Sequence, residues 1–532
     1  MVSESAHGQG SENLVRGISA PRAVILAVMG GVGTGIFFSN ISIISMAGPG
    51  SWITWVIAWL LFVPFALVIA ELARVFPTSG SSTVAAAYSH GNFVALIAGM
   101  ASYIWYVFIA GIEALAVVEG LDYYIPSLIA PNGAPTIYGV LLGLLLLLIF
   151  VPINYYGIKS FSNVTFYYGV IKWIWLALVG VLFLLLLFHS GNFSNYGGVF
   201  PFGYQALFAA VPTAMFGVGG ARVVSDFSEE LKSTKQILGV MIGNIVGQLS
   251  LVLLFGFAFS GAINWGKFGL PPGDWSGLVS LPGNPFVTLS AEYGPLLILT
   301  SIIAVASPFM TGFVWFGSGS RVVFAMSRLG LVSKKIRTVH VKYHIPSIAL
   351  IVSAIIAAII VLVSAPVPTI YALLVDSVVA GYLGYSIAPF SMLNSRRRGS
   401  PIERRITKGK ISGYVIGYFA FLAASLIVFW SGWPADPYAI LILTIGVVVL
   451  SLAYKVKGSL KNAGWFIAYI AFMLLMSYIG SVGAKSILSF LDATILVIVI
   501  ASVVFFPLGL YFGLTNESPG AQKIADWSVP EV

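Results

Sequence analysis

The sequence predicts an all-α protein that crosses a membrane many times. The chain has 532 residues, of which 58% are hydrophobic and only 8% are charged, and its mean hydropathy is +0.97. In soluble domains about a quarter of all residues are charged, so this composition indicates a polytopic membrane protein. The chain has no cysteine, and its five histidines form no cluster with ligand spacing inside an apolar segment. We therefore expect no thiol chemistry, no bound metal and no cofactor.

Fourteen apolar segments are long enough to cross a bilayer. The first twenty residues are polar, and they lack the charged start and apolar core of a signal peptide, so they predict a cytoplasmic tail. The approximate limits of the spans are 22–48, 50–75, 93–118, 136–154, 162–188, 204–225, 237–263, 293–320, 346–365, 369–393, 411–431, 437–454, 463–483 and 489–514.

The distribution of basic residues predicts the orientation of these spans. With the N-terminus inside, 23 of the 27 lysines and arginines lie on the inner side, and two, Lys267 and Lys485, lie outside. This asymmetry follows the positive-inside rule and predicts a cell-membrane protein with both termini in the cytoplasm. The basic residues lie between apolar spans, so the sequence pI of about 9.4 does not indicate a nucleic-acid partner.

The first span contains four glycines between residues 30 and 35. Each glycine costs about 1 kcal/mol relative to alanine in a helix. Freed backbone groups find no water in lipid, so a break is tolerated only where it is buried in protein or lines a cavity. The run indicates either a discontinuous helix that binds a polar ligand or a set of small residues that lets another helix pack closely.

The sixth span is interrupted in the same way. It contains Pro212, followed by Phe216-Gly217-Val218-Gly219-Gly220. Breaks five spans apart favour an inverted repeat with the ligand site between its halves, because an odd number of spans reverses the direction of the second repeat.

One short segment lies within span one, and three others follow spans two, six and eight. They are Gly33-Thr34-Gly35-Ile36-Phe37, Glu71-Leu72-Ala73 with Phe76-Pro77-Thr78-Ser79-Gly80, Glu229-Glu230-Leu231-Lys232, and Ser320-Arg321 with Ala325-Met326-Ser327-Arg328-Leu329-Gly330 and Pro346. In this order they resemble the motifs of the amino acid–polyamine–organocation permeases. The resemblance covers about residues 20–395 and excludes the last four spans.

The resemblance implies ten core helices in two inverted five-helix repeats, with helices 1 and 6 broken, and a family that transports amino acids, polyamines or related amines. The corresponding division of this chain is 1–20 as a cytoplasmic tail, 21–190 and 191–398 as the two repeats, 399–515 as four additional helices, and 516–532 as a second cytoplasmic tail.

The two breaks suit a zwitterion. Backbone N–H groups at the start of the second half of span one, together with the helix dipole, favour a carboxylate. Carbonyl groups near the end of its first half favour an ammonium group. The resemblance implies the same assignment and suggests that Phe216 closes over the substrate, although an ordinary packing role fits its residue type equally well. The predicted substrate-binding residues are Gly31, Gly33, Thr34, Gly35, Ile36, Phe216, Gly217 and Gly219.

Lys172 lies deep in the fifth span, where a lysine costs about 2.5–3.5 kcal/mol on insertion scales. A buried lysine can load and release a proton. The resemblance implies that Lys172 takes the place where sodium-coupled relatives of the fold hold their ion. We therefore expect H⁺ as the coupling ion, with Lys172 as proton site or fixed cation. A structural lysine that bonds to span-one carbonyls is the alternative.

Three further charged residues lie in spans. Glu113 and Asp376 are candidates for proton transfer or for pairing with a cationic group, and the alternative is a neutral acid bonded to a backbone carbonyl. Arg222 departs from the resemblance, because the family usually has glutamate there. It suits an acidic substrate side chain or an ion pair with Glu113 or Asp226.

These observations predict a secondary active transporter that carries an amino acid or related amine by proton symport and alternating access. Its partners are the substrate and the lipid bilayer. An exchanger and a non-transporting sensor with a permease-like core are the alternatives. We find no acidic metal motif and no nucleophile elbow, and therefore expect no enzyme. The apolar surroundings of the breaks favour a substrate with a neutral side chain.

Overall fold

The computed structural model describes residues 14–364, 370–397, 400, 402, 412–456, 460–515 and 524. No β-strand occurs in these ranges. The first half of the chain forms α1 (Ala20–Gly31), a π-helical turn (Gly35–Ser39), α2 (Asn40–Ala47), α3 (Ser51–Val75), α4 (Ser81–His90), α5 (Asn92–Asp122), α6 (Ile137–Tyr155), α7 (Ile158–Leu186), α8 (Gly191–Ser194), α9 (Tyr204–Ala209), α10 (Val211–Val218), α11 (Ala221–Asp226) and α12 (Ile237–Ala262).

The second half is also helical. It forms α13 (Trp265–Phe268), α14 (Pro285–Ser290), α15 (Gly294–Arg328), α16 (Ser347–Ser364), α17 (Ile370–Tyr385), α18 (Ala388–Ser395), α19 (Gly413–Ser431), α20 (Ala435–Tyr454), α21 (Leu460–Ile479), α22 (Phe490–Ile500), a second π-helical turn (Ala501–Phe505) and α23 (Phe506–Thr515).

Each of the fourteen predicted spans coincides with a helix or a run of short helices in these ranges. By length and composition, ten helical stretches of the described chain are long and apolar enough to cross a membrane. The prediction of an all-α polytopic membrane protein is confirmed. The count of fourteen spans, the inverted repeat and the division into repeats stay predictions. Helix α4, between spans two and three, was not predicted.

The centre of the bundle is formed by α5 and α15, which pack along each other. Most of α5 is buried, whereas α20 and α22 lie at the periphery. Leu452 at the end of α20 is 75% exposed. An exposed apolar side chain of this kind suits lipid rather than water.

Both predicted breaks are present. Helix α1 ends at Gly31, Val32 leaves helical geometry at φ −103° and ψ 75°, and the chain resumes a helical path at Thr34. In span six, α10 ends at Val218, and a turn at Gly219–Gly220 leads into α11. Each span is therefore divided by a glycine-containing turn.

The chain before α1 is tied to the chain after α11. The Gly17 N–H donates to the Glu230 carbonyl at 2.8 Å, and the Lys232 N–H donates to the Ile18 carbonyl at 2.9 Å. The Glu229 carboxylate accepts from the Leu14 N–H at 3.3 Å. We call this contact between residues 14–18 and 229–232 the N-terminal clamp. The charge distribution predicts that it lies on the cytoplasmic side.

Ion pairs join the same end of span six to α15. Arg321 donates to both Glu230 carboxylate oxygens, at 3.0 and 2.9 Å, and both side chains are buried. Arg328 binds the Glu229 carboxylate at 2.8 Å. Two parallel guanidinium–carboxylate bonds fix orientation as well as distance. The segment after α11 is thereby held to α15 as well as to the N-terminal clamp.

The two broken spans cross at glycine. A Cβ atom added to Gly220 would overlap the Ala27 carbonyl oxygen and lie 2.9 Å from the Gly31 nitrogen. These neighbours are backbone atoms, which cannot rotate away as a side chain can. The close approach of span six to span one therefore requires glycine at position 220.

We expect Gly220→Ala to lower the free energy of unfolding by about 1–3 kcal/mol, the usual cost of overpacking. The measurement is the thermal melting temperature of the purified protein in detergent. The matched control is Gly239→Ala in α12, because an added Cβ at Gly239 meets nothing within 4 Å. Equal melting temperatures of the two variants would contradict the predicted backbone contact.

Candidate functional site

Side chains of α15 bind the carbonyl groups freed at the break of span one. Ser307 Oγ donates to the Val32 carbonyl at 2.9 Å, and Thr311 Oγ1 donates to the Met29 carbonyl at 2.8 Å. Trp315 Nε1 donates to the Gly30 carbonyl at 2.5 Å. The break is therefore buried in protein, and three side chains of α15 support it. Carbonyl groups that were predicted to bind a substrate ammonium group accept hydrogen bonds from protein side chains in this structure.

Lys172 lies in α7 beside this support. Its side chain is buried, and Nζ donates to the Ser307 carbonyl at 2.9 Å and to Thr311 Oγ1 at 3.0 Å. Among the described residues, the amine makes no direct bond to a span-one carbonyl and reaches span one through Thr311 and Ser307. The Thr311 hydroxyl thus connects the Lys172 ammonium group to the broken backbone. Its predicted role in proton coupling stays a prediction.

Glu113 lies in α5 and meets the other side of the break. Its carboxylate accepts from the Thr34 N–H at 2.8 Å and from the Thr34 hydroxyl at 2.7 Å. A Cβ atom at Gly33 would come within 2.6 Å of both Glu113 carboxylate oxygens and of Thr311 Cβ. The Thr34 N–H was predicted to bind a substrate carboxylate, but in this structure it already donates to the carboxylate of Glu113.

The predicted substrate-binding residues come together where the broken spans meet. A Cβ atom at Gly35 would lie 2.8 Å from Gly217 Cα and 3.7 Å from the Phe216 ring, and one at Gly31 would lie 2.7 Å from the Gly217 carbonyl oxygen. Ile36 is buried, and Phe216 is 4% exposed. The side chain of Phe216 thus lies at the contact between the breaks. Substrate binding by these residues stays a prediction.

Arg222 lies three residues after Gly219 and folds back over it. Its Nη1 atom is 3.2 Å from the position of a Cβ on Gly219, and Trp315 lies 3.5 Å from the same position. The predicted pairing with Glu113 or Asp226 is not present as a hydrogen bond among the described residues, although Asp226 attracts Arg222 electrostatically. Glu113 binds Thr34, and no guanidinium nitrogen has a hydrogen-bond partner among the described residues. Asp376 lies in α17, and its side chain falls outside the described part of the chain.

Sequence reasoning missed the partners of the break. Ser307 and Thr311 are polar residues four apart in an apolar span, so they share one helix face on either side of Pro308. That pattern is a usable signal for a polar contact inside the membrane. Trp315 and Gln248 gave no comparable signal. Gln248 Nε2 donates to the Ala27 and Val28 carbonyls, each at 3.2 Å, from α12.

Chemically, this centre holds an amine, a carboxylate and opened backbone within one buried contact region. Among the described residues, no group of three or more histidine or acidic side chains is arranged to hold a metal ion. An amine and a carboxylate beside opened backbone are groups that can bind a polar ligand reversibly and exchange protons.

Comparisons with known proteins match most of the chain. The amino acid permease family profile matches residues 18–450. The glutamate/serine transporter AimA of Bacillus subtilis (strain 168) is 26% identical over 511 residues, covering 91% of this chain and 92% of its own. The aspartate-proton symporter of the same organism is 27% identical over 515 residues, covering 92% and 95%.

The aromatic amino acid transport protein AroP of Escherichia coli (strain K12) is 23% identical over 491 residues, covering 87% of this chain and 99% of its own. These three relatives are named as transporters and none as an enzyme. The family match covers most of the chain, including both breaks, Glu113, Lys172 and Arg222, and it confirms the resemblance carried by the motifs. This chain belongs to the amino acid permease family.

Proposed function

We propose that this permease carries amino acids across the cell membrane by proton symport with alternating access, both termini being cytoplasmic. One observation carries the proposal: Glu113 and Lys172 approach the same break from two sides, through Thr34 and Thr311. The names of the relatives include acidic, hydroxyl-bearing and aromatic amino acids and a proton symporter. They support an amino acid substrate without selecting one class of side chain.

Glu113 couples substrate binding to protonation by competition. The Thr34 N–H is the donor best placed for a carboxylate, because it opens the second half of span one. The ionised Glu113 carboxylate holds that donor. A protonated carboxyl group is a weaker acceptor, so proton uptake releases Thr34 to the substrate carboxylate. Proton and substrate then bind together, as symport requires.

Lys172 connects protonation to the hydrogen bonds that support the break in span one. The amine donates to Thr311, whose hydroxyl in turn donates to Met29. Lys172 and Glu113 also attract each other electrostatically. Proton transfer at this pair alters the charge next to the broken backbone. The position of the first half of span one then depends on the protonation state.

The second component of the proposal is the closure on the predicted cytoplasmic side. The N-terminal clamp and the Glu230–Arg321 pair hold the chain before span one, the end of span six and α15 together. Such contacts must be released for the site to open inward. Each broken span allows one half to move while the other half stays packed.

We expect Lys172→Ala to lower amino acid accumulation driven by an inward proton gradient by at least about fivefold, the lower end of usual coupling free energies. The measurement is uptake of a labelled amino acid mixture into proteoliposomes with and without the gradient. The matched control is Lys159→Ala, an exposed lysine at the start of the same helix. Gradient-driven accumulation that is unchanged by Lys172→Ala would remove Lys172 as the coupling site.

Glu113→Gln tests the competition directly. Glutamine keeps the size of the side chain but cannot ionise, so uptake by this variant should no longer respond to external pH. The measurement is the initial rate of uptake at acidic and at neutral external pH. Glu119→Gln, in the same helix, is the control and should retain the response of the wild type. A pH response in Glu113→Gln equal to that of the wild type contradicts the assignment.

A second candidate function is amino acid exchange. Lys172 has two acceptors and an acidic neighbour, which also suits a permanently charged lysine that acts as a fixed cation. An exchanger would take up label only into liposomes preloaded with a partner amino acid, and the proton gradient would add nothing. The uptake experiment therefore separates the two functions without a variant.

A further inference from the structure

Arg222 is a fully buried cation within an aromatic cage. The guanidinium carbon lies 3.7 Å from the centre of the Trp105 ring, 4.5 Å from Tyr382, 4.4 Å from Tyr385 and 5.6 Å from Phe62. The four rings come from α3, α5 and α17. They attract the cation through their π-faces and keep water away from it.

The four aromatic side chains of the cage carry no negative charge. None of the three guanidinium nitrogens has a hydrogen-bond partner among the described residues. The Asp226 carboxylate attracts the guanidinium electrostatically but accepts no hydrogen bond from it, and the Tyr382 hydroxyl lies beside the guanidinium. A buried charge is retained in proteins when it is paired or when function requires it. The donors of Arg222 therefore suit an acceptor that arrives from outside the chain.

The guanidinium also lies next to the broken spans. Its Nη1 atom and the Trp315 ring both contact the space over Gly219, and Trp315 in turn donates to the Gly30 carbonyl. On the other side of the cage, the Tyr382 hydroxyl donates to the sulfur of Met215 at 3.1 Å. Met215 precedes Phe216, so the cage touches the first half of span six directly.

We propose that Arg222 binds the side-chain carboxylate of an acidic amino acid whose α-amino and α-carboxylate groups lie at the two breaks. This assignment rests on the proposed function. A guanidinium presents paired donors that match the two oxygens of a carboxylate. The expectation of a neutral side chain, drawn from the apolar surroundings of the breaks, gives way to this unpaired cation.

In this assignment, Arg222 distinguishes an acidic amino acid from its amide by charge alone. Aspartate and asparagine have the same shape, as do glutamate and glutamine, but only the acids neutralise the guanidinium. An amide would leave Arg222 charged and unpaired in its aromatic cage. Discrimination between an acid and its amide therefore measures the contribution of Arg222 without a change in substrate size.

The experiment compares binding of L-aspartate, L-asparagine, L-glutamate and L-glutamine to the purified full chain in detergent, with counterflow in proteoliposomes as a second readout. In the wild type, at least one acid should bind more tightly than its amide. In Arg222→Gln, the dissociation constant of that acid relative to its amide should rise by roughly 10- to 150-fold, the usual range for a lost hydrogen bond to a charged group. Arg222→Lys keeps the charge but loses the paired donors, and should fall between the two.

Asp226→Asn is the matched control on the same face of α11. It should keep the preference for the acid, because Asp226 is not the partner in this assignment. Wild-type counterflow of neutral amino acids without binding of either acid overturns the assignment and leaves the proposed function standing. An equal loss of acid and amide binding in Arg222→Gln shows a structural role and also overturns it. A wild type that moves no amino acid overturns the proposed function together with the assignment.

Discussion

The fold depends on how the opened backbone of span one is satisfied. Lipid offers no hydrogen bonds, so each unpaired carbonyl in a membrane costs several kcal/mol. Ser307, Thr311 and Trp315 donate to three carbonyls of the break from one side of α15. Gln248 binds two more from α12. The break is therefore a built feature of the bundle, held by two helices that lie far away in sequence.

The same side chains bring the charged residues to the centre. Thr311 joins Lys172 to the first half of span one, and Trp315 lies between the break and the cage of Arg222. Glu113 holds the second half through Thr34. One amine, one carboxylate and one guanidinium thus act on a single irregular segment. Each is bonded to or packed against groups that contact its backbone.

The breaks and the charged residues could be predicted from the sequence, because glycines and charges are energetically costly in any apolar span, whatever packs against it. Glycine runs inside apolar spans predicted both breaks, and Glu113, Lys172 and Arg222 stood out as charges in lipid-spanning segments. Their partners could not be predicted. The bond from Glu113 to Thr34 depends on the rotation of α5 about its axis, and the pattern of one chain does not give that rotation. The sequence therefore left the Thr34 amide open to a ligand.

The N-terminal clamp has a consequence for the balance between conformations. The N–H groups of Gly17 and Ile18 both donate to the Glu230 carbonyl, and the Lys232 N–H donates to the Ile18 carbonyl, so the clamp contains three backbone bonds at the end of the bundle that is predicted to face the cytoplasm. Three such bonds are worth together about 2–4 kcal/mol, since water replaces each one. That amount is smaller than the binding free energy of a micromolar ligand, about 8 kcal/mol. Release of the clamp therefore costs less than the binding free energy of such a ligand, and a ligand shifts the population by the difference between its affinities for the two conformations.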